Sequence, residues 1–240
     1  MTKNTIGFIL FICMITNAAI AAPLELRIDL NGDGTPEKIR AQKTDSGYTL
    51  LVNDLRVVKQ ESEKTLMRIE GLDIDRKDGM QELRVIVELD GGYAHSDLYA
   101  YDGHQIIQLA EITGSLTVPG SGKLYVNRWH GNFSTTARFK LSRRPPKLTK
   151  TPQSLYFIGL TVKVSTSFPI RLQRHEPKSL VYVSPGSELS ILAVDLDAPE
   201  CGKRHTGPCE VFLIRTSTNL TGWVKRSRLE RHVEGFHSAG

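Results

Sequence analysis

The chain has 240 residues, 24% of which are charged, and a formal net charge of +5 at neutral pH. Aromatic residues make up only 7% of the sequence, without the interleaving of aromatic and basic residues that stacks nucleic-acid bases. So small a charge on so long a chain excludes a typical nucleic-acid-binding protein. It is compatible with association with an anionic cell-envelope surface.

Residues 1–21 are predicted to be a cleaved export signal. Lys3 provides a short positive start, residues 6–15 are apolar, and Ala19-Ile20-Ala21 is a small-x-small cleavage site. The alternative is a membrane anchor, but the apolar run is shorter than the about 20 residues that span a bilayer, so no stable membrane insertion is expected. Removing this segment takes away Lys3 and no acidic residue, which lowers the net charge to +4. We therefore expect a periplasmic or secreted protein.

Apolar and polar residues alternate with a period of two along most of the remaining chain, which predicts a mainly β protein. In one such strand Leu83, Val85, Val87 and Leu89 share a face. Turns are predicted at residues 53–54 and 102–103. The best candidate for a helix is a short segment at residues 60–67. The two prolines in residues 143–147 predict either a linker or a hairpin loop.

Acidic residues alternate in the segment Asp29-Leu-Asn31-Gly-Asp33-Gly-Thr35-Pro-Glu37. Side-chain oxygens at positions one, three and five, followed by glycine, are how a loop wraps Ca²⁺. The sequence predicts a structural calcium site with side-chain oxygens from Asp29, Asn31, Asp33 and Glu37 and the carbonyl of Thr35. It is not an EF-hand, because the flanking residues alternate as strands and position twelve is arginine. The alternative is a plain Asx-rich turn.

A degenerate second copy follows, with potential ligands Asp73, Asp75, Asp78 and Glu82. It has one more residue between Asp75 and Asp78 than the first loop has between Asn31 and Asp33, and two basic residues lie within it. An ion is therefore less expected here than in the first loop. Both loops end in Gly-x-x-Glu followed by a strand, which indicates an internal duplication.

The two acidic loops, together with the strand and turn at residues 98–104, resemble FG-GAP/VCBS-type repeats of integrin-like propellers and many bacterial exported proteins. In that family a loop of this kind between strands binds calcium, usually for rigidity. The resemblance covers roughly residues 23–165. That span is too short for a full propeller, so it implies an antiparallel partial propeller or sandwich over residues 22–165.

Short strands and tight turns at residues 181–224, ending in Gly222-Trp223-Val224, predict a small closed barrel in residues 166–240. Their order resembles the bacterial Src-homology-3-like domain over about residues 168–232. Relatives bind cell-wall peptides or other proteins, which implies a ligand cleft near Trp223. Phe212 stands where such domains usually have a tryptophan and is the second cleft candidate. The residues themselves favour a place for Trp223 in the barrel core, because so small a barrel needs its few aromatic residues to close.

Cys201 and Cys209 remain after removal of the export signal. In an oxidising compartment a close pair is predicted to form a disulfide across a surface loop. A metal-binding or redox pair is the alternative, although the spacing is not Cys-x-x-Cys.

No segment carries a recognisable catalytic motif: neither His-Glu-x-x-His nor Gly-x-Ser-x-Gly occurs. The sequence therefore predicts a non-enzymatic exported protein that binds a cell-envelope polymer or a protein ligand. The alternative is a cell-wall hydrolase or hydrolase accessory, in which His95 and the acidic loops form a catalytic metal site. Asp90, His95 and Asp97 could also form a cluster of their own, although a solvated turn is the simpler interpretation. The sequence makes no prediction of the oligomeric state.

Overall fold

The structure is a computed structural model that describes residues 22–60, 65–88, 94–174, 178–196 and 210–236. Nineteen antiparallel strands and one short helix occur in these ranges, which confirms the prediction of a mainly β protein. No helix in these ranges is long and apolar enough to cross a membrane. The predicted export signal, residues 1–21, and the predicted disulfide of Cys201 and Cys209 lie outside the described residues.

The first three sheets each consist of four consecutive strands that lie side by side in chain order. The first sheet contains β1 (Leu24–Ile28), β2 (Glu37–Thr44), β3 (Gly47–Val52) and β4 (Leu55–Gln60). The second sheet contains β5 (Thr65–Leu72), β6 (Glu82–Glu88), β7 (Ala94–Tyr101) and β8 (Ile106–Thr113). The third sheet contains β9 (Ser115–Thr117), β10 (Lys123–Trp129), β11 (Ser134–Arg143) and β12 (Pro146–Lys150).

The fourth sheet has seven strands in the order β15-β14-β18-β17-β16-β13-β19. Its strands are β13 (Tyr156–Val164), β14 (Phe168–Arg171), β15 (Ser179–Val183), β16 (Glu188–Asp195), β17 (Val211–Thr216), β18 (Thr221–Lys225) and β19 (Val233–Glu234). The helix α1 (Arg226–His232) lies between β18 and β19. The predicted boundary near residue 165 falls directly after β13, and this strand pairs with β16 and β19.

The predicted closed barrel is not formed by the described residues. Its outermost strands, β15 and β19, do not pair with each other within the ranges that the structure describes. Near the β15 edge of the sheet, β14 pairs with β18 only through Arg171 and Trp223. A single residue pair thus joins the β14–β15 hairpin to the other strands, and this hairpin does not reach β19 to close a barrel.

Apolar clusters join neighbouring sheets. One cluster lies between the first and second sheets and includes the predicted face of Leu83, Val85 and Val87, which is confirmed. A second cluster joins the second and third sheets. Strand β7 contributes to both clusters: Tyr99 belongs to the first cluster and Leu98 to the second. The alternation of side chains across a strand therefore lets the second sheet bury both faces.

Two turns predicted from the sequence are present, whereas the predicted helix is not. Asn53 turns the chain between β3 and β4 with a φ of 51°, and Gly103 turns it between β7 and β8 with a φ of 92°. These left-handed conformations suit asparagine and glycine better than most residues. The predicted helix at residues 60–67 is wrong, because Gln60 ends β4 and Thr65 begins β5.

The proline-containing segment at residues 143–147 is a tight hairpin turn between β11 and β12, so the linker interpretation is wrong. Pro146 is the first residue of β12, which is an edge strand of the third sheet. Proline is tolerated there because an edge strand has one side without hydrogen-bonding partners.

Candidate functional site

The two acidic loops occupy the same place in successive sheets. The first connects β1 to β2, and the second connects β5 to β6. In each loop a buried apolar residue, Leu30 or Ile74, donates its backbone N–H to the glutamate that ends the loop. The distances are 2.6 Å from Leu30 to Glu37 Oε2 and 3.1 Å from Ile74 to Glu82 Oε2. This shared geometry supports the internal duplication read from the sequence.

The carbonyl groups of the same two residues link each loop to the next. Leu30 accepts a hydrogen bond from the backbone N–H of Gln81 at 3.2 Å, and Ile74 accepts one from Gly122 at 2.7 Å. Gly122 belongs to the connection between β9 and β10, which is the equivalent position in the third sheet. Buried backbone groups need such partners, and here the partner is always the following loop. The three connections therefore form a continuous row along the stack of sheets.

Asp29 organises the backbone of the first loop. Its Oδ1 accepts a hydrogen bond from the N–H of Gly32 and its Oδ2 accepts one from Gly34, both at 2.8 Å. The two glycines have φ values of 76° and 85°, a region that glycine enters without steric cost. The Asp29 carboxylate, at position one of the loop, thus holds the backbone that follows it in a tight turn.

The remaining predicted ligands of the first loop continue this turn. Asn31 Oδ1 accepts a hydrogen bond from the N–H of Asp33 at 3.0 Å, and Asp33 Oδ1 accepts one from the N–H of Thr35 at 2.7 Å. Hydrogen bonds from the Asn31 amide and the Thr35 backbone hold the pKa of Asp33 below its usual value, so this side chain is charged at neutral pH. The Asx turns expected from the alternative interpretation are therefore present.

Carboxylate oxygens of Asp29, Asp33 and Glu37 also converge, with one oxygen of each within 4.8 Å of the others. No described lysine or arginine forms an ion pair with any of these three residues. Hard oxygen donors at this spacing fit the ligand preference of Ca²⁺. The first loop therefore combines a self-supporting turn with an uncompensated set of carboxylates.

The second loop differs because an arginine from the third sheet reaches its carboxylates. Arg143, at the end of β11, donates from Nη1 to Glu82 Oε1 at 2.5 Å and from Nε to Asp78 Oδ2. Glu82 is fully buried, and burial raises its pKa even though the positive charge of Arg143 acts in the opposite direction. A guanidinium thus supplies the positive charge that a metal ion would bring to this loop.

The other two predicted ligands of the second loop do not contact Arg143. Asp75 Oδ1 accepts a hydrogen bond from the N–H of Lys77 at 3.3 Å, and Asp75 forms an isolated strand bridge with Ser121. Oδ1 of Asp73 is buried without a hydrogen-bond partner. Arg143 could not be identified from the sequence, since it lies 61 residues from Glu82 and within a predicted turn.

A third polar group lies between the first and second sheets. Asp97 on β7 is fully buried and accepts a hydrogen bond of 2.6 Å from the hydroxyl of Tyr48 on β3. The Tyr48 hydroxyl is also 2.7 Å from that of Tyr99. Burial raises the pKa of Tyr48, as do the neighbouring Tyr99 and Asp97, so its hydroxyl stays protonated. Hydrogen bonding to the buried carboxylate of Asp97 thus links the first sheet to the second.

Asp97 also contacts His95, whose Nε2 lies 3.2 Å from its Oδ1. Burial alone would raise the pKa of Asp97, but hydrogen bonds from His95 and Tyr48 and the charge of Lys59 outweigh it and hold the pKa below its usual value. His95, Asp97 and Glu111 are close enough to share a metal ion. However, the ammonium of Lys59 is paired with Glu111 and lies 4.0 Å from Asp97, so a cation already balances this group.

This arrangement separates His95 from the acidic loops. Among the described residues, the two groups that could hold a metal ion share no member. Asp90, the other residue considered with His95, lies outside the described ranges. Among the described residues, His95 is therefore not grouped with the carboxylates of the acidic loops.

We expect Tyr48→Phe to lower the free energy of unfolding by about 1.5–3 kcal/mol, because the substitution removes a hydrogen bond to a buried carboxylate. The measurement is urea denaturation monitored by circular dichroism. Tyr182→Phe is the matched control, since Tyr182 is 66% exposed. Equal losses in the two variants would contradict the role given to Tyr48.

The two cleft candidates of the C-terminal region, Phe212 and Trp223, lie in different environments. Phe212 is fully buried among Phe133 and Phe236, with ring centroids 5.5 and 5.2 Å away, so it cannot contact a ligand in a cleft. Trp223 is half-buried and lines a cleft of about 390 Å³. The guanidinium of Arg174 lies 5.6 Å from the centre of the Trp223 ring. Trp223 is therefore a cleft residue, and Phe212 is a core residue.

No protein-family model, curated protein or solved structure matches this chain.

Proposed function

We propose that the mature protein is an exported, non-enzymatic binding or scaffold protein with one structural calcium ion. The N-terminal sheets would be stiffened by the ion, and the C-terminal sheet would present a cleft to a cell-envelope polymer or a protein ligand. The observation that carries this proposal is the convergence of Asp29, Asp33 and Glu37 without a compensating basic side chain.

The resemblance to FG-GAP/VCBS-type repeats is supported by the order of the strands. Three successive sheets are each formed by four consecutive antiparallel strands, and the acidic loops connect the first to the second strand in two of them. Face-to-face apolar clusters join these sheets. A partial propeller of three such units is the arrangement we propose for the three sheets, residues 24–150, within the region 22–165.

The resemblance to a Src-homology-3-like domain is supported by the elements that follow. A strand (β15), the Pro185-Gly186 turn, two further strands (β16 and β17), the Gly222-Trp223-Val224 strand (β18) and a last strand (β19) occur in the expected order. The pairing of β13 with β16 and β19 suggests that this unit includes residues before 165. We propose an open variant of the domain, with Trp223 in its ligand cleft.

The proposed location, periplasmic or secreted, rests on the sequence of residues 1–21 and on the mild positive charge. An export signal would leave a mature chain that begins at Ala22. The mass of the protein recovered from outside the cytoplasm tests this point directly.

Calcium is expected to raise the melting temperature of the mature protein. A ligand that binds only the folded state adds about 2.7 kcal/mol when its concentration is about 100 times Kd, and about 2–4 °C accompanies each kcal/mol in a chain of this size. The measurement is differential scanning calorimetry with excess calcium or with chelator. Calorimetric titration should give one ion per chain, because Arg143 already pairs with two of the four candidate ligands of the second loop, Asp78 and Glu82.

Asp33→Asn should abolish the calcium effect, since it removes a charge but keeps the hydrogen-bonding oxygen of the turn. Asp102→Asn is the matched control. Asp102 Oδ1 accepts hydrogen bonds from His104 and Gln105, both at 2.9 Å, in an exposed turn outside the convergent group. A wild-type melting temperature that is the same with calcium and with chelator would refute the calcium site.

A further inference from the structure

The cleft beside Trp223 is lined by four basic side chains, which come from Arg171, Lys225, Arg228 and Arg231. None of the described residues that line it is acidic. We call this feature, together with Trp223, the basic cleft. A concave surface that carries charge of one sign concentrates its field and attracts ligands of the opposite sign.

The backbone explains why these side chains meet. Strands β14 and β18 are paired only at Arg171 and Trp223, and a Cβ atom on Gly222 would lie 2.8 Å from the Arg171 carbonyl oxygen. The strands are thus in close contact at one point and unpaired beyond it. Helix α1 follows β18 directly and places Arg228 and Arg231, three residues apart, on one side of the opening.

The charge of the basic cleft has no counter-charge within the part of the chain that the structure describes. No described Asp or Glu forms an ion pair with any of its four basic side chains. Two arginines next to the cleft, by contrast, are paired with acidic residues. Arg174 pairs with Asp195 at 2.9 Å, and Arg226 pairs with Glu210 at 2.7 Å and with Glu230 at 2.6 Å. Among the cations close to Trp223, the four that line the cleft are therefore the ones without an acidic partner, whereas Arg174 and Arg226 are paired.

We propose that the basic cleft binds an acidic peptide segment of a partner protein. Arginine presents a planar fork that suits carboxylates, and three of the four basic residues are arginines. Trp223 and Pro169 add apolar surface for the aliphatic parts of such a segment. A long polyanion would need a basic track beyond the cleft, and the adjacent Arg174 and Arg226 do not extend one because each is paired with a carboxylate. This inference rests on the proposed binding function and narrows its ligand class.

The first test uses Trp223 as a reporter in the mature protein. The chain has two tryptophans, and Trp129 is 59% exposed on the third sheet, so Trp129→Phe leaves the cleft residue as the only indole. A synthetic peptide of alternating Glu and Ala should change the Trp223 emission in a saturable manner. A peptide of equal length with Gln in place of Glu should not, and added salt should weaken the binding.

Charge-reversal variants then locate the site. Arg171→Glu and Arg228→Glu are each expected to weaken binding of the acidic peptide by about tenfold or more. Arg56→Glu, at an exposed position on β4, should leave the affinity unchanged. Melting temperatures of all three variants show whether they remain folded.

Two results would overturn the inference. One is an acidic peptide that does not bind, or binds equally to wild type and to both cleft variants. The other is inorganic polyphosphate that binds as tightly as the peptide at equal charge, which would indicate a general polyanion site. The calcium experiment is independent of the cleft, so a negative peptide result with a positive calcium result would refute only the ligand class.

Discussion

Arg143→Ala should lower the free energy of unfolding by about 3–5 kcal/mol, as expected when one partner of a buried ion pair is removed. Glu82 would remain fully buried without its cation, and Asp78 would lose the same partner. Urea denaturation at neutral pH measures the loss. Arg144→Ala is the matched control, because Arg144 is the next residue, is exposed and forms no ion pair among the described residues.

The cost of Arg143→Ala should depend on pH. Burial raises the pKa of Glu82 in the folded protein above its value of 4.5 in an unfolded chain, and removing Arg143 raises it further. A carboxyl group with a raised pKa destabilises the folded state increasingly as the pH rises from the unfolded value through the folded one. The difference between wild type and variant should therefore be largest at neutral pH and smaller at about pH 5.

Two further observations bear on this interpretation. Arg143→Lys should be intermediate, since lysine keeps the charge but cannot donate two hydrogen bonds in a planar fork. A loss at neutral pH no greater than that of Arg144→Ala would contradict the buried ion pair. So would a loss that stays constant from about pH 5 to neutral pH.

Phe212→Ala should also cost about 3–5 kcal/mol, because it leaves a cavity at the centre of the cluster formed with Phe133 and Phe236. Trp223→Ala should cost clearly less, since Trp223 is half-buried at the cleft and is not a member of that cluster. The comparison is made by urea denaturation of both variants under identical conditions.

Phe212→Leu serves as the control, because it keeps much of the apolar volume and should recover most of the loss. Binding of the acidic peptide provides the second readout. We expect Trp223→Ala to weaken it and Phe212→Leu to leave it unchanged. A larger stability loss in Trp223→Ala than in Phe212→Ala would reverse the roles assigned to the two aromatic residues.

Local features of this fold could be predicted from the sequence. The alternation at Leu83, Val85 and Val87 indicates a strand with one apolar face, and Asn53 and Gly103 indicate turns. Strand faces and tight turns depend mainly on residues that are close in the sequence. The turn of the acidic loop could likewise be predicted, since Asp29 and Asp33 lie within one short segment and their hydrogen bonds are local.

Features that depend on the packing of distant segments could not be predicted. Arg143 meets Glu82 only because the third sheet packs on the second, and no spacing in the chain encodes that contact. Helix α1 has seven residues of which only Leu229 is buried, which is too short to give a helical period. The burial of Phe212 and the partial exposure of Trp223 likewise depend on where β14 separates from β18.

Arg143 has a consequence for how the stack would respond to its surroundings. A guanidinium is covalently part of the chain and stays charged at any pH at which the protein is folded, whereas the calcium ion that we propose at Asp29 and its neighbours would exchange with the medium. In a medium depleted of divalent cations, the junction between the second and third sheets would keep its positive charge. Of the two sheets that carry an acidic loop, the first would then loosen and become more accessible to proteases, while the second would not.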